Sequence, residues 1–293
     1  MKWIDYVKGA ARENKKSILL PEGYDERIIK AAKAIEMEQI ADITVVSEEA
    51  IEGVNTIRPQ SGTLSEAAQL VSEGAYDGMV AGAVNSTAQV IRSALKKIGA
   101  RKDVSVVSSF FLMDSDNEYL GEKGAFLFAD CAVNIAPDHV KLADIAVSTA
   151  QSARDIMGWE PRVAFLSFST KGSASHASVD AVRKTVEELK KRNADFVFDG
   201  ELQLDAAVIP EVAMKKDPEG LLKGTANILV FPDLNSANIA YKTAQRLGGF
   251  RAVGPILQGY NRPVNDLSRG CSVEDIIDVV AFTALQAVKD QKK

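Results

Sequence analysis

Short apolar, β-branched runs that alternate with stretches of helical period are the feature that most restricts the fold of this chain. "SILLP" from Ser17 reads as a strand, the stretch after it puts Ile28, Ala31, Ala32 and Ile35 on one helical stripe, and "ITVV" from Ile43 returns as a strand. Such alternation is the pattern of a parallel sheet whose faces are covered by helices. "GMVAG" from Gly78 is a further buried strand, and the helix after it has Val90, Ile91, Ala94, Leu95 and Ile98 as its apolar stripe, with Arg92 off that stripe. The apolar run "VSVVSSFFLM" from Val104 opens a second phase, with strands expected at "RVAFLSF", "ADFVF" and "NILVFP". The expected class is therefore α/β, as two three-layer α/β domains with mainly parallel sheets. No repeat or Pro/Ser-rich linker marks a border, so topology has to place it. Residues 1–100 plus 256–293 are expected to form a discontinuous first domain, and residues 101–255 an inserted second one.

Composition narrows the chemistry. A formal charge of -5, with no long run of one sign, gives no electrostatic footprint for nucleic acid or an acidic membrane surface. The start "MKWIDYVKGAARENKK" lacks an apolar core and a small-residue cleavage site, so a cytoplasmic location is expected. Two cysteines, Cys131 and Cys271, and two histidines, His139 and His176, match no zinc spacing and no disulfide framework. The same scarcity disfavours Ser-His-Asp and Cys-His mechanisms, which leaves carboxylates, hydroxyls, Arg and Lys to carry any reaction.

In open α/β sheets ligands bind beyond the carboxyl ends of the strands. Here those ends are expected to carry "STKGSAS" (169–175), "DGELQLD" (199–205) and "PDLNSANIAYK" (232–242) as polar loops. The first resembles a seat for phosphate, because small residues let backbone N–H groups approach an oxyanion while Lys171 adds a point charge. A solvated turn before a helix accounts for the same residues equally well. Ser169, Thr170, Lys171, Gly172 and Asn238 are the candidate substrate or phosphate contacts on these loops. No nucleotide fingerprint of either common glycine-rich type is present. His176 reads as a surface or capping residue.

"NDLSRGCSVED" (265–275) places a hydroxyl, a guanidinium, a thiol and a carboxylate within eight residues. Ser272 followed three residues later by Asp275 and then by Ile276, Ile277, Val279 and Val280 is also the pattern of a capping box opening a helix. Cys271 reads as a small packed residue at that helix start rather than a nucleophile.

Seven stretches, "LLPEGYDERIIKAA", "DGMVAGAVNSTAQVIR", "FLFADCAVN", "VAFLSFSTKGSA", "DGELQLDAA", "VFPDLNSANIAYKTAQRLGG" and "GPILQGYNRPVNDLSRGCSVEDI", span nearly the whole chain. In this order they resemble the phosphate acetyltransferase family, within the wider phosphate acetyl/butyryltransferase group. The resemblance implies a two-domain α/β enzyme, usually a homodimer, with its active site in an interdomain cleft. It implies interconversion of acetyl-CoA plus phosphate with CoA plus acetyl phosphate, without a metal or a permanently bound cofactor. Ser268, Arg269 and Asp275 fall on the family's catalytic positions, and Arg92 on an arginine of the cleft. Asp275 would take the thiol proton, Arg269 would hold the phosphate, and Ser268 would hydrogen-bond the thiol or the developing oxyanion. The usual Arg-Pro is Arg92-Ser93 here. Fuller family members also carry a helical segment with a basic "RKHKG"-like stretch between "NTIRPQ" and "GTLSEAAQLVSEG". This chain passes straight across, so a coenzyme A contact attributed to that stretch has no counterpart. In brevity the chain is similar to phosphate butyryltransferases, whereas "FPDLNSANIAYK" and "NDLSRGC" favour the acetyl branch. A catalytically weak acyl-CoA-sensing module, like those appended to some malic enzymes, is the rival reading.

Overall fold

The computed structural model describes residues 2–60 and 63–290. The chain divides into two compact units, Met1–Arg101 with Val253–Lys293, and Lys102–Ala252. In chain order the first unit supplies α1 (Trp3–Glu13), β1 (Ser17–Leu20), α2 (Glu26–Glu38), β2 (Asp42–Val46), β3 (Asn55–Ile57), α3 (Thr63–Ser72), β4 (Gly78–Ala81) and α4 (Thr87–Lys97). Then come β5 (Ser108–Asp114), β6 (Ala125–Ala129), α5 (His139–Ser152) with a π-helical turn (Ala153–Met157), β7 (Arg162–Leu166), α6 (Ala177–Lys191) and β8 (Val197–Leu202). The short helices α7 (Leu204–Val208) and α8 (Pro210–Lys216), then β9 (Ile228–Val230) and α9 (Leu234–Arg246), follow. β10 (Arg251–Gln258) carries the chain back to the first unit, which β11 (Val264–Asp266) and α10 (Val273–Asp290) complete.

The first unit's sheet has the order β11-β4-β1-β2-β3, and every neighbouring pair in it is parallel. Ile18, Leu19 and Leu20 of β1 and Met79, Val80 and Ala81 of β4 are fully buried, which is why these runs are continuously apolar instead of alternating. Burial of each large side chain contributes about 1.5 to 3 kcal/mol. The α2 stripe Ile28, Ala31, Ala32 and Ile35 is buried as expected. The α4 stripe is narrower than the sequence suggests: Val90, Ala94 and Ile98 are buried, but Leu95 is 43% exposed. Leu95 lies five residues past Val90, about 140° round the helix, and so leaves the buried face. The opening segment, not anticipated as an element, is the helix α1. It is pinned to α10 by Lys8, whose ammonium bonds Glu274 and, at 2.9 Å, the fully buried Asp278.

In the second unit the sheet order is β10-β5-β6-β9-β7-β8, with β6, β9, β7 and β8 mutually parallel and β5–β6 antiparallel. Its core packs Phe111, Phe128, Leu229, Phe231 and Tyr241, and Phe111 stacks on Tyr241 at 4.2 Å. Two stretches expected as loops are regular structure. Asp199–Leu202 lies inside β8, and the chain from Leu204 enters α7. "PDLNSANIAYK" is mostly the first half of α9, opened by Asp233, which accepts the Ser236 N–H at 2.9 Å.

Candidate active site

β11, β4 and β1 are adjacent and parallel, so their carboxyl ends open on one edge of the first unit's sheet. Ser268, Arg269 and Gly270 follow β11 as an exposed turn. The turn is closed by Cys271 N–H donating to Ser268 O at 2.8 Å and by Gly270 N–H donating to Ser268 Oγ at 3.3 Å. Arg27, in the first turn of α2, fixes its backbone. One guanidinium nitrogen donates to Arg269 O at 2.8 Å and Cys271 O at 3.0 Å, and the other donates to Ala83 O at 2.8 Å and Asp25 Oδ2 at 2.7 Å. Bonding to Arg27 holds the Asp25 carboxyl below its ordinary range. Sequence reasoning passed over Arg27, and nothing in its local spacing marks it out.

The loop after β4 wraps around the buried carboxylate of Glu22. Gly82, Ala83, Val84 and Asn85 each donate a backbone N–H to it, at 2.8 to 3.2 Å, and the Asn85 side chain adds a bond of 2.7 Å. Gly82 has φ +109, and any side chain there would overlap Asp266 and the backbone of Leu267. Only glycine suits this conformation and this approach.

Ser272 and Asp275 form the expected reciprocal pair. Ser272 N–H donates to Asp275 Oδ2 at 2.8 Å, and Asp275 N–H donates to Ser272 Oγ at 3.2 Å. The capping box is therefore real, and it leaves Asp275 Oδ1 uncommitted among the described residues. The guanidinium of Arg269 has no hydrogen-bond or ion-pair partner among the described residues, and neither has that of Arg92, exposed on α4. Cys271 is 7% exposed, and burial pushes its thiol up to about 11 against the opposing pull of Arg27, so it is a packed thiol and a poor nucleophile.

The second unit uses its polar loop differently. Glu201, in β8, accepts the Ser169 hydroxyl at 3.0 Å, the Gly172 N–H at 2.8 Å, and Arg183 through Nε at 2.8 Å and Nη2 at 2.9 Å. Burial alone would raise its pKa, but Arg183, the Gly172 N–H and Ser169 bring it down to about 2. Lys171 bonds Asp199, with Asp217 at 3.9 Å. Thr170 Oγ1 accepts the Gln203 N–H at 3.0 Å, and Asn238 Nδ2 donates to Cys131 O at 3.4 Å. Each residue expected to contact a phosphate thus has at least one partner within the unit. A third carboxylate, Asp130 after β6, is enclosed in the same way by the N–H groups of Ser109, Ala132, Val133 and Asn134. His176 caps α6, its Nδ1 accepting the Ser178 N–H at 3.2 Å.

Ser268, Arg269 and Asp275 thus share one short segment of the first unit, and Arg92 belongs to the same unit. Ser169, Thr170, Lys171, Gly172 and Asn238 belong to the second. Among the described residues no group of three or more His, Cys, Asp and Glu is arranged to hold a metal ion. No described helix is long and apolar enough to cross a membrane.

An α/β chain with an unpartnered Arg beside Ser and Asp at a parallel-sheet edge has the equipment of an acyl or phosphoryl transferase. A family model described as "Phosphate acetyl/butaryl transferase" matches residues 2–63 and 58–284, and the chain belongs to that family. The phosphate acetyltransferase of Thermoanaerobacterium thermosaccharolyticum is 44% identical over 327 residues, covering 98% of this chain and 100% of the relative. That of Treponema pallidum is 51% identical over 75% of this chain and 67% of its own length. Among solved structures, a phosphotransacetylase from Streptococcus pyogenes superposes with a TM-score of 0.89 at 39% identity, covering 98% of this chain and 99% of that one. The 327 aligned residues exceed the 293 of this chain, and the two matched pieces of the family model meet at 58–63. Both findings agree with a segment absent between "NTIRPQ" and "GTLSEAAQLVSEG". The junction at residues 61 and 62 lies outside the described residues.

Proposed function

We propose that this chain interconverts acetyl-CoA and phosphate with CoA and acetyl phosphate, using Ser268, Arg269 and Asp275 as the reacting groups. The observation that carries this reading is the guanidinium of Arg269, unpartnered among the described residues and held on a turn whose carbonyls Arg27 immobilises, next to the Ser268 hydroxyl, which accepts only the Gly270 N–H, and a half-free carboxylate. In the direction of acetyl-CoA synthesis, the CoA thiol gives its proton to Asp275 and its sulfur attacks the acetyl carbonyl carbon. The C–S bond forms, the C–O bond to phosphate breaks, and phosphate leaves with the electron pair. Arg269 offers paired donors to the phosphate oxygens, with Arg92 as a second cation, and Ser268 donates to the carbonyl oxygen as charge develops there. Attack is direct, in a ternary complex. Ser169, Thr170, Lys171, Gly172 and Asn238 each have a partner within the second unit, so a part for them in holding phosphate would require those bonds to be shared or exchanged. Purified protein given acetyl-CoA should release CoA only when phosphate is added. Phosphate-independent release would overturn the reading in favour of a hydrolase, and no release at all in favour of a sensing module.

Two further outcomes are expected. Acetyl-CoA should exceed butyryl-CoA in kcat/KM, since each methylene in an apolar pocket shifts discrimination by about 1 to 3 kcal/mol, and faster turnover of butyryl-CoA would contradict the acetyl assignment. Grafting the longer segment of a fuller relative between Gln60 and Thr63 should lower the KM for CoA and leave kcat nearly unchanged, as restored uniform binding does. A cavity of about 580 Å³, lined by Arg58, Gln60, Glu66, Tyr76 and Lys97 among others, adjoins the graft site. An unchanged KM in a folded graft would show that the segment does not serve CoA. The proposed setting is cytoplasmic and the proposed assembly a homodimer, which sedimentation of the purified chain tests.

A further inference from the structure

Asp266 ends β11, two residues before Ser268, and is 1% exposed. Its Oδ2 accepts the hydroxyl of Thr87, the first residue of α4, at 2.6 Å. Its Oδ1 is buried without a hydrogen-bond partner among the described residues, and so is the hydroxyl of Tyr260, which feels the charge of Asp266. The packing around it is close, since a side chain at Gly82 would overlap Oδ1 and the Leu267 backbone. A carboxylate in such a place, with one oxygen bare, is unfavourable. The groups acting on it are Thr87 from α4, Tyr260 from the segment after β10, the Leu267 N–H (already donating to Ala81 O) and the Glu22 carboxylate after β1. None of them is a cation. Burial, with repulsion from Glu22, raises the Asp266 pKa to about 7 over the opposing effects of Thr87 and Leu267.

We propose that Asp266 is a positioning residue for the reaction: its protonated carboxyl, with the proton on Oδ1 and with Oδ2 accepting from Thr87, fastens the turn bearing Ser268 and Arg269 to the helix bearing Arg92. Asp266 touches no substrate. Once ionised, it binds Thr87 more strongly but repels Glu22 and keeps a bare charged oxygen in the core, and on this proposal the strain is relieved by a shift of the Leu267–Ser268 backbone. Turnover therefore declines as Asp266 loses its proton. The inference rests on Ser268 and Arg269 being the reacting groups.

The test is kcat from pH 6 to 8.5 for the wild type, Asp266→Asn and Thr87→Val, each expressed as a ratio to wild type so that ionisation of thiol and phosphate cancels. Asn stays neutral throughout, so the ratio of Asp266→Asn to wild type should climb about tenfold between pH 7 and 8.5 as the protonated fraction of Asp266 falls. Thr87→Val removes a hydrogen bond that favours the ionised form, so the alkaline decline should begin at higher pH. A flat ratio for Asp266→Asn, together with an unmoved decline in Thr87→Val, overturns the proposal. If Asp266→Asn does not fold, the Thr87→Val profile decides alone. Arg269→Ala separates this idea from the one beneath it: retained turnover there refutes the site assignment, whereas an inactive Arg269→Ala with a flat Asp266→Asn ratio refutes only the role of Asp266.

Discussion

Asp275→Asn should lower kcat by about 10²- to 10⁴-fold while the melting temperature hardly moves. The two roles that meet on this side chain separate cleanly in that variant. Asn presents an oxygen to the Ser272 N–H where Asp275 Oδ2 now sits, so the helix start is preserved, but it cannot take a proton from a thiol. Ser272→Ala is the converse experiment. It removes the hydroxyl that accepts the Asp275 N–H and should cost about 0.5 to 2 kcal/mol of stability with a smaller effect on rate. Should Asp275→Asn keep most of its turnover while Arg269→Ala loses it, the carboxylate is a cap only, and another acceptor takes the thiol proton.

The largest effect on stability is expected at Glu201. Truncation to Ala strands the Ser169 hydroxyl and the Gly172 N–H and releases Arg183, and the loss of these charge-assisted bonds should destabilise the second unit by about 3 to 5 kcal/mol. For a unit of this size that corresponds to a melting temperature lower by about 10 °C. The acid limb carries a second signature. The folded pKa of about 2 lies below an unfolded value of about 4.3, so ionised Glu201 contributes about 3 kcal/mol that is fully present above pH 4.3 and lost as pH falls through 2. Urea unfolding at pH 5 and at pH 2.5 should show this loss in the wild type and a smaller one in Glu201→Gln. An equal acid loss in both proteins would assign the acid sensitivity to other carboxylates.

What was legible in the sequence was what is encoded within a few residues. The strands β1, β2, β4, β7 and β9 stand out as apolar runs because both their faces are covered, and the helix α2 declares itself by period. The Ser272–Asp275 cap, spanning three residues, was equally readable. Asp199 and Glu201 misled because acidic residues suggest a loop, whereas in β8 their charges are met by Arg183, Lys171 and N–H groups from elsewhere in the chain. Arg27 was invisible for the same reason. Its hydrogen bond to Arg269 O joins residues 242 apart, and no local spacing records a partner at that distance. The identity of the Ser268, Arg269 and Asp275 segment came from family resemblance, since its local pattern is equally that of a helix start.

Glu22 and Asp130 have a shared implication. Each occupies a cluster of backbone N–H groups after a strand, the kind of concavity that elsewhere receives a phosphate. Here those seats come already filled by the chain's own negative charge. A phosphate group finds no vacant amide nest at either of the two and is met there by like charge, so these seats are closed to it by prior occupancy. The anion that can stay is the one able to use free guanidinium groups, and each carboxylate removed by mutation should open a new berth for sulfate or phosphate in a place the native protein keeps closed.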